Sequence, residues 1–248
     1  KQAIDFFEES QDIYKILANI SENSLNTTTQ FKHWSFNDII RHLHVWNIAA
    51  YKSLQGDIEW ESFNNNLQTF FKAGKKLSDF EKSITKNLKG KSLLNLWQST
   101  FKNVSEEFKK ESPKKRVKWV GPDMSVISSI SARHMETWAH SQAIYDSIGK
   151  IRNNKDRILN IVIIGNNTFE WTYKVNNREI PTEKPYLKLI SPSGKVWEFN
   201  DPSNKERIEG LAEEFCQVVT QVRNIKDVNL KLSRSEEHTS ELQSPVTI

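Results

Sequence analysis

The chain reads as an α+β protein: a bundle of four long helices followed by a small α+β domain. Three observations predict this. Glycine and proline are scarce, eight and seven in 248 residues, so long stretches can remain helical. Apolar residues recur at three- and four-residue spacing through the first two thirds, the period of a helix face turned to a core. After Gly149 that period gives way to short alternating runs. YLKLI, SPSG and KVWEF, from Tyr186 to Phe199, set two strands around a turn.

Taken in order, Ile4, Phe7, Ile13, Ile16, Leu17 and Ile20 form the stripe of a first helix. SFNDIIRHLHVWNIAAYKSL opens a second, with Ser35 and Asp38 in an S-x-x-D capping arrangement. Ser78 and Glu81 suggest another cap, for a short helix DFEKSITKNL closed by Gly90. Ser92 is expected to start a helix carrying Leu93, Leu96, Trp97, Phe101, Val104 and Phe108 inward, ended before Pro113. A long helix is expected from about Ser125 to Ile148, stopped by Gly149. Four long helices with variable connections predict an antiparallel bundle over residues 1–149. In the second domain, residues 150–233, the expectations are a helix near Asp156 to Ile164, a strand FEWTYKV, the hairpin, and one amphipathic helix ERIEGLAEEFCQVVTQVR.

Residues 234–248 stand apart. RSEEHTSELQS, Arg234 to Ser244, is what a common sequencing adapter encodes when translated, so this tail is expected to be non-native and the chain a fragment. The tail carries Arg234 against Glu236, Glu237 and Glu241; leaving it out raises the formal net charge from +4 by two. A mildly basic surface suits anionic small molecules or nucleic acid without choosing between them. The densest basic run, KKRVK at Lys114 to Lys118, is expected in a solvated turn.

Composition excludes several classes. The single cysteine, Cys216, rules out an internal disulfide, a cysteine zinc cluster and an iron–sulfur centre. Thiol chemistry would then need a thiol from outside, unless Cys216 itself reacts; on the apolar stripe of the last helix it is expected to be buried and inert. No apolar run approaches the roughly 20 residues of a membrane span. Asp5, Glu8 and Glu9 leave no signal-peptide apolar region at the start, so a cytoplasmic protein is expected.

One constellation carries chemistry. In RHMETWAHSQAIYDSIG, Glu136 and His140 lie four residues apart in a helix, where side chains stack over one another. They can reach one ion together, with a third ligand from a facing helix, as bundle cores build metal sites. The second helix offers His42 and His44, and Asp38 four residues before His42 could accept its other ring N–H. Two imidazoles and a carboxylate form a ligand set seen at catalytic zinc. The metalloprotease pattern H-E-x-x-H is absent, since Met135 follows His134. Trp138 is expected in the core, Arg133 exposed or salt-bridged ahead of meeting a substrate carboxylate by bidentate pairing, and His33 and His134 at the surface or beside the ligands.

WSFNDIIRHLHVWN carries the segment W-x-x-x-D-x-x-x-H-L, and GPDMSVISSISARHMETWAHSQAIYDSIG carries G-P-x-M-S, R-x-x-E-T-W-A-H and D-x-x-G. Both resemble the N-terminal metal-binding domain of the mycothiol-dependent maleylpyruvate isomerases, within the DinB-like four-helix bundles. The similarity continues through Gly165, Thr168, Trp171, SPSGKVWEF and IEGLAEEFCQVVTQVRN. It looks closest to a two-domain subfamily whose C-terminal part resembles a wyosine-formation (tRNA) profile. The resemblance implies His42, Glu136 and His140 as ligands of a divalent metal, Zn²⁺ by preference, and ranks His44 second. It also implies a low-molecular-weight thiol and an electrophilic small-molecule substrate as partners. Asn47 and Ala143 stand where the family often has Asp, which touches substrate or thiol contacts and not the ligand set.

Isomerisation, thiol transfer and metal-assisted hydrolysis all remain open on this basis. So does a metal- or ligand-binding protein without turnover. The wyosine-type radical reaction needs a cysteine-bound cluster that one cysteine cannot hold, leaving RNA contact the least supported class and membranes none. Catalytic residues and oligomeric state are not legible.

Overall fold

The computed structural model describes residues 1–233; the adapter-like tail lies outside them. The chain divides into two compact units, Lys1–Ile151 and a second beginning at Arg152.

Four long helices build the first unit: α1 (Gln2–Ala18), α2 (Phe36–Gln55), α5 (Gly90–Lys110) and α6 (Val126–Ser147), with α3 (Asp57–Lys72) and α4 (Leu77–Ile84) between α2 and α5. α1 and α2 each pack against both α5 and α6. Phe6, Phe36, Phe80, Trp97, Phe101 and Trp138 fill the interior as large, fully buried side chains, Trp138 where the sequence puts it. The predicted cap of α2 forms in full. Ser35 Oγ accepts the Asp38 N–H at 3.2 Å, and Asp38 Oδ2 accepts the Ser35 N–H at 3.0 Å. This satisfies backbone groups that a helix start otherwise leaves unpaired. Ser125 caps α6 likewise, accepting the Ser128 N–H at 3.2 Å.

α4 departs from expectation. Asp79 accepts the Lys76 N–H at 3.0 Å, so Asp79, and not Ser78 with Glu81, closes the helix start. Glu81 is turned inward and buried. Gly90 does not end α4 but opens α5, at φ +65°, where a side chain is strained and a Cβ would collide with the Glu22 carboxylate. α3 has no counterpart in the sequence reading. Its Asn-rich run masks the stripe of Trp60, Phe63 and Leu67 that it buries. The basic run at Lys114 to Lys118 includes β1 (Arg116–Val117), paired antiparallel with β2 (Met124–Ser125) ahead of α6.

The second unit holds α7 (Leu159–Asn167), α8 (Phe169–Val175), β3 (Tyr186–Ile190), β4 (Val196–Phe199), β5 (Arg207–Leu211), α9 (Ala212–Val219) and β6 (Lys231–Ser233). The sheet order is β4-β3-β5-β6, with β3 and β5 parallel and the outer pairs antiparallel. The predicted hairpin is present as β3–β4. Two expectations fail here. FEWTYKV is helix α8: the Thr168 N–H bonds to Ile164 O and the Thr172 N–H to Thr168 O, continuing the helical ladder past α7. Phe169 and Tyr173 then meet at 5.0 Å as an i,i+4 pair instead of alternating across a sheet. The single terminal helix is two elements, because Arg207 to Leu211 pair with β3 on one side and β6 on the other. Sheet pairing outweighs local helical period.

Candidate metal centre

α2 and α6 bring His42, Glu136 and His140 together, with one ligand atom from each lying within 4.8 Å of the others. Glu136 Oε2 sits 3.1 Å from His140 Nε2 and 3.4 Å from His42 Nε2. Ligands at ~2.1 Å around a tetrahedral ion are spaced by about 3.4 Å, so the observed separations fit one cation. The three side chains are 10–15 % exposed, enough to be reached from outside.

The other nitrogen of His42 is held. Nδ1 lies 2.7 Å from Glu81 Oε1, and the same oxygen accepts the Trp46 Nε1–H at 3.2 Å. A carboxylate on Nδ1 leaves Nε2 for the site and orients the ring. Asp38, expected in that role, is occupied elsewhere: it caps α2 and pairs with Arg41 Nη1 at 2.9 Å. Burial pushes His42 down, but its hydrogen bonds to Glu136 and Glu81 outweigh burial and hold it above its ordinary value. Burial pushes His140 below its ordinary value, its bond to Glu136 compensating only partly. For Glu136, burial favours the neutral acid, yet the bonds to His140 and His42, then the nearby charges including Arg133, hold it well below the usual carboxylate range.

An aromatic wall closes around the triad. Trp34 lies parallel to His140 at 5.6 Å and tilted against His42 at 5.2 Å, with Phe31 edge-on to His140 at 5.2 Å. The segment carrying them passes through Lys32 and His33, both at positive φ, before the Ser35 cap. Trp46 follows beside His42, and Trp119 beside Trp46 at 5.6 Å.

Other candidates go elsewhere. His44 is buried away from the triad, where burial alone lowers it to about 4. Two residues along a helix is over half a turn, so His42 and His44 cannot share a face. His33 is exposed. His134, expected at the surface or beside the ligands, is instead fully buried, 3.7 Å from Glu9 of α1. Arg133 is also buried, contrary to expectation, its guanidinium 5.2 Å over the Trp119 ring. Asn47 is buried, and neither of its amide atoms has a hydrogen-bond partner among the described residues. Cys216 is buried as expected, and burial pushes its thiol far up. Sequence reasoning missed Glu81 and the aromatic wall. Glu81 had one signal: with Leu77, Phe80 and Ile84 it occupies an i, i+3, i+4, i+7 stripe, an acid at a core position.

No helix among the described residues is long and apolar enough to cross a membrane. The chain is 37 % identical over 139 residues to two uncharacterized proteins of Mycobacterium tuberculosis, from strains CDC 1551 / Oshkosh and ATCC 25618 / H37Rv. The match covers 55 % of this chain and 54 % of each relative, so the chain spans about half the length of the curated relatives it matches. Two solved structures share its fold: the mycothiol-dependent maleylpyruvate isomerase and a histidine-to-alanine mutant of it. Their TM-scores are 0.59 and 0.58 at 12 % identity, covering 98 % of this chain and 95 % of theirs. Residues 6–145, more than half the chain and all three clustered side chains, match the family described as the mycothiol maleylpyruvate isomerase N-terminal domain, and the chain belongs to that family.

Proposed function

We propose that His42, Glu136 and His140 hold a divalent cation, zinc by donor set, and that the protein is a thiol-dependent isomerase or transferase of the cytoplasm. The observation that carries this is the convergence of three donors from two helices, with Nδ1 of His42 tied back by Glu81. Three protein donors leave a further position for a ligand, the arrangement of catalytic and not structural zinc sites. A cation there would supply acidity, letting a bound thiol ionise at neutral pH. Glu81 and Trp46 keep the His42 ring in place, while Trp34 and Phe31 pack the His140 ring. The thiol comes from outside, because Cys216 is buried in the other unit. A thiol cofactor that adds reversibly to an activated double bond permits rotation and cis–trans isomerisation; one that stays attached gives transfer. Mycothiol is the first thiol to try, since the family and the fold relatives carry that word in their names.

The test uses the full chain loaded with cobalt and a panel of small thiols. The cobalt spectrum is expected to change on thiol addition, and His140→Ala is expected to lose metal by at least about a hundredfold in affinity, more than the loss of a supporting partner costs. Metal uptake without a thiol response favours a binding protein without turnover. Refusal of every divalent ion by folded protein overturns the proposal.

A further inference from the structure

The sheet of the second unit buries one face and exposes the other. Leu187, Leu189 and Ile208 are buried on the inner face. Residues paired across neighbouring strands project from the same side, so the register reads the outer face row by row. One row is charged and alternates in sign: Glu198 of β4, Lys188 of β3, Glu209 of β5 and Lys231 of β6. The next row, two residues further along β3 and β5, is apolar: Val196, Ile190 and Leu211. These three neighbours are 52, 46 and 42 % exposed. The outer face of an antiparallel-edged sheet is ordinarily polar where it meets water. Aliphatic side chains exposed singly need no account, but three contiguous in one row do.

The charge order selects the occupant. From β4 to β6 the charged row runs minus, plus, minus, plus, and reversing the strand order inverts every sign. A two-fold rotation about an axis parallel to the strands, between β3 and β5, performs that reversal. It lays β3 of one copy over β5 of the other without changing strand direction, the aligned class of sheet packing. Lys188 then faces the partner's Glu209, Glu198 the partner's Lys231, and Ile190 the partner's Leu211. Each contact is made twice, as a two-fold interface requires. Glu209 also accepts the Arg207 guanidinium N–H at 3.2 Å, and a carboxylate has acceptor sites left for a lysine.

We infer that this sheet face is a self-association surface whose partner is a second copy of the chain. It goes beyond the metal reading and does not depend on it, since none of these residues belongs to the triad. Four strands about 4.8 Å apart, with five residues rising about 3.3 Å each, cover roughly 300 Å² per partner. A stable interface of standard size buries about 800 Å² per partner. The dimer is therefore weak and reversible, with a Kd on the order of 100 µM.

The experiment is sedimentation velocity of the full chain from about 10 µM to about 1 mM, a range spanning that Kd. The parent is expected to pass from monomer to mostly dimer. Lys188→Glu and Glu209→Lys each set like charges against each other in both copies of one contact. Each variant alone should associate at least about tenfold more weakly. Mixed in equal amounts, the two variants should associate as tightly as the parent, because every facing contact again joins a carboxylate to an ammonium. Ile190→Thr keeps a β-branched strand residue and should weaken association about tenfold, since the lost apolar contact is made twice. Circular dichroism reports whether each variant folds; if a charge variant does not, Ile190→Thr decides, and undiminished association overturns the inference. A parent that stays monomeric throughout also overturns it and leaves the apolar row to a different partner. So does a mixture of folded charge variants that associates no better than either alone.

Discussion

The two units use their interiors differently. Among the described residues, every buried charged or imidazole side chain lies in the first unit: Asp5, Glu9, Arg41, His42, His44, Glu81, Arg133 and His134. Among the described residues of the second unit, the buried polar side chains are Asn160 and Ser191, together with the Cys216 thiol. Its ionisable contacts are exposed, as where Asp156 accepts the Ser193 N–H at 2.9 Å, or only part-buried, as between Arg207 and Glu209. An ionisable group removed from water destabilises a fold unless partners compensate it. A helix bundle can carry such a cost because each helix satisfies its own backbone and leaves the interior to side chains. The second unit spends its interior on packing a four-stranded sheet. The difference teaches where reactivity can reside: in the unit whose apolar packing holds ionisable groups out of water.

That contrast requires the bundle's stability to come from its apolar layers and not from the triad. Trp97→Ala, in α5 and fully buried, should therefore give the largest effect on folding, about 3–5 kcal/mol less stability by denaturant titration. Where the variant remains folded, its affinity for cobalt should match the parent's. Loss of cobalt binding at full occupancy of the folded state would mean that packing and site are not separable.

The comparison is sharpened by Glu81, which supports the site without entering it. Glu81→Gln keeps the shape but offers a weaker acceptor to His42 Nδ1. Partners of this kind are worth roughly 10–100-fold in metal affinity, and a competition assay against a chromogenic chelator would measure it. An unchanged affinity would make Glu81 a packing residue and return the His42 tautomer to other causes.

How much of this was legible follows from distance along the chain. Glu136 and His140 are an i,i+4 pair, visible in any helix, and the α2 cap is local to Ser35 and Asp38. The four long helices are likewise local periodicities. Glu81 reaches His42 across 39 residues, and its S-x-x-E spacing with Ser78 offered a nearer, wrong explanation. Arg133 read as exposed or salt-bridged because charge predicts solvent, whereas it is buried with its guanidinium over Trp119, which arrives from the β1–β2 connection. The strand in ERIEGL was hidden for the same reason: its partners are β3 and β6, remote in sequence. What failed to show in the sequence was pairing between elements, whether of side chains or of strands.

A smaller effect separates the two histidines of α2. His44 Nδ1 meets no hydrogen-bond partner among the described residues, and His44 has no place in the triad. His44→Leu should therefore change stability by less than about 1.5 kcal/mol, the cost of a volume-conserving core replacement. Metal affinity should not move. A lost metal site in folded His44→Leu would shift the ligand assignment from His42.

The smallest effect belongs to Cys216, the one thiol the chain owns. If the second unit is chemically quiet, that thiol should stay unreactive while exposed thiols ionise. An ordinary cysteine titrates near 8.5, so its alkylation accelerates from pH 7 to 9 as thiolate forms. Burial against α7 and the nearby Glu213 charge both push Cys216 upward, and its S–H faces the Ile158 carbonyl at 3.7 Å. The sign is therefore fixed: its thiolate fraction stays negligible across that range, and iodoacetamide should label native protein at a rate nearly independent of pH. Denaturant should restore both rapid labelling and the ordinary pH profile. Fast native labelling at pH 8 would place a reactive sulfur in the second unit, and the division of labour between the two interiors would no longer hold.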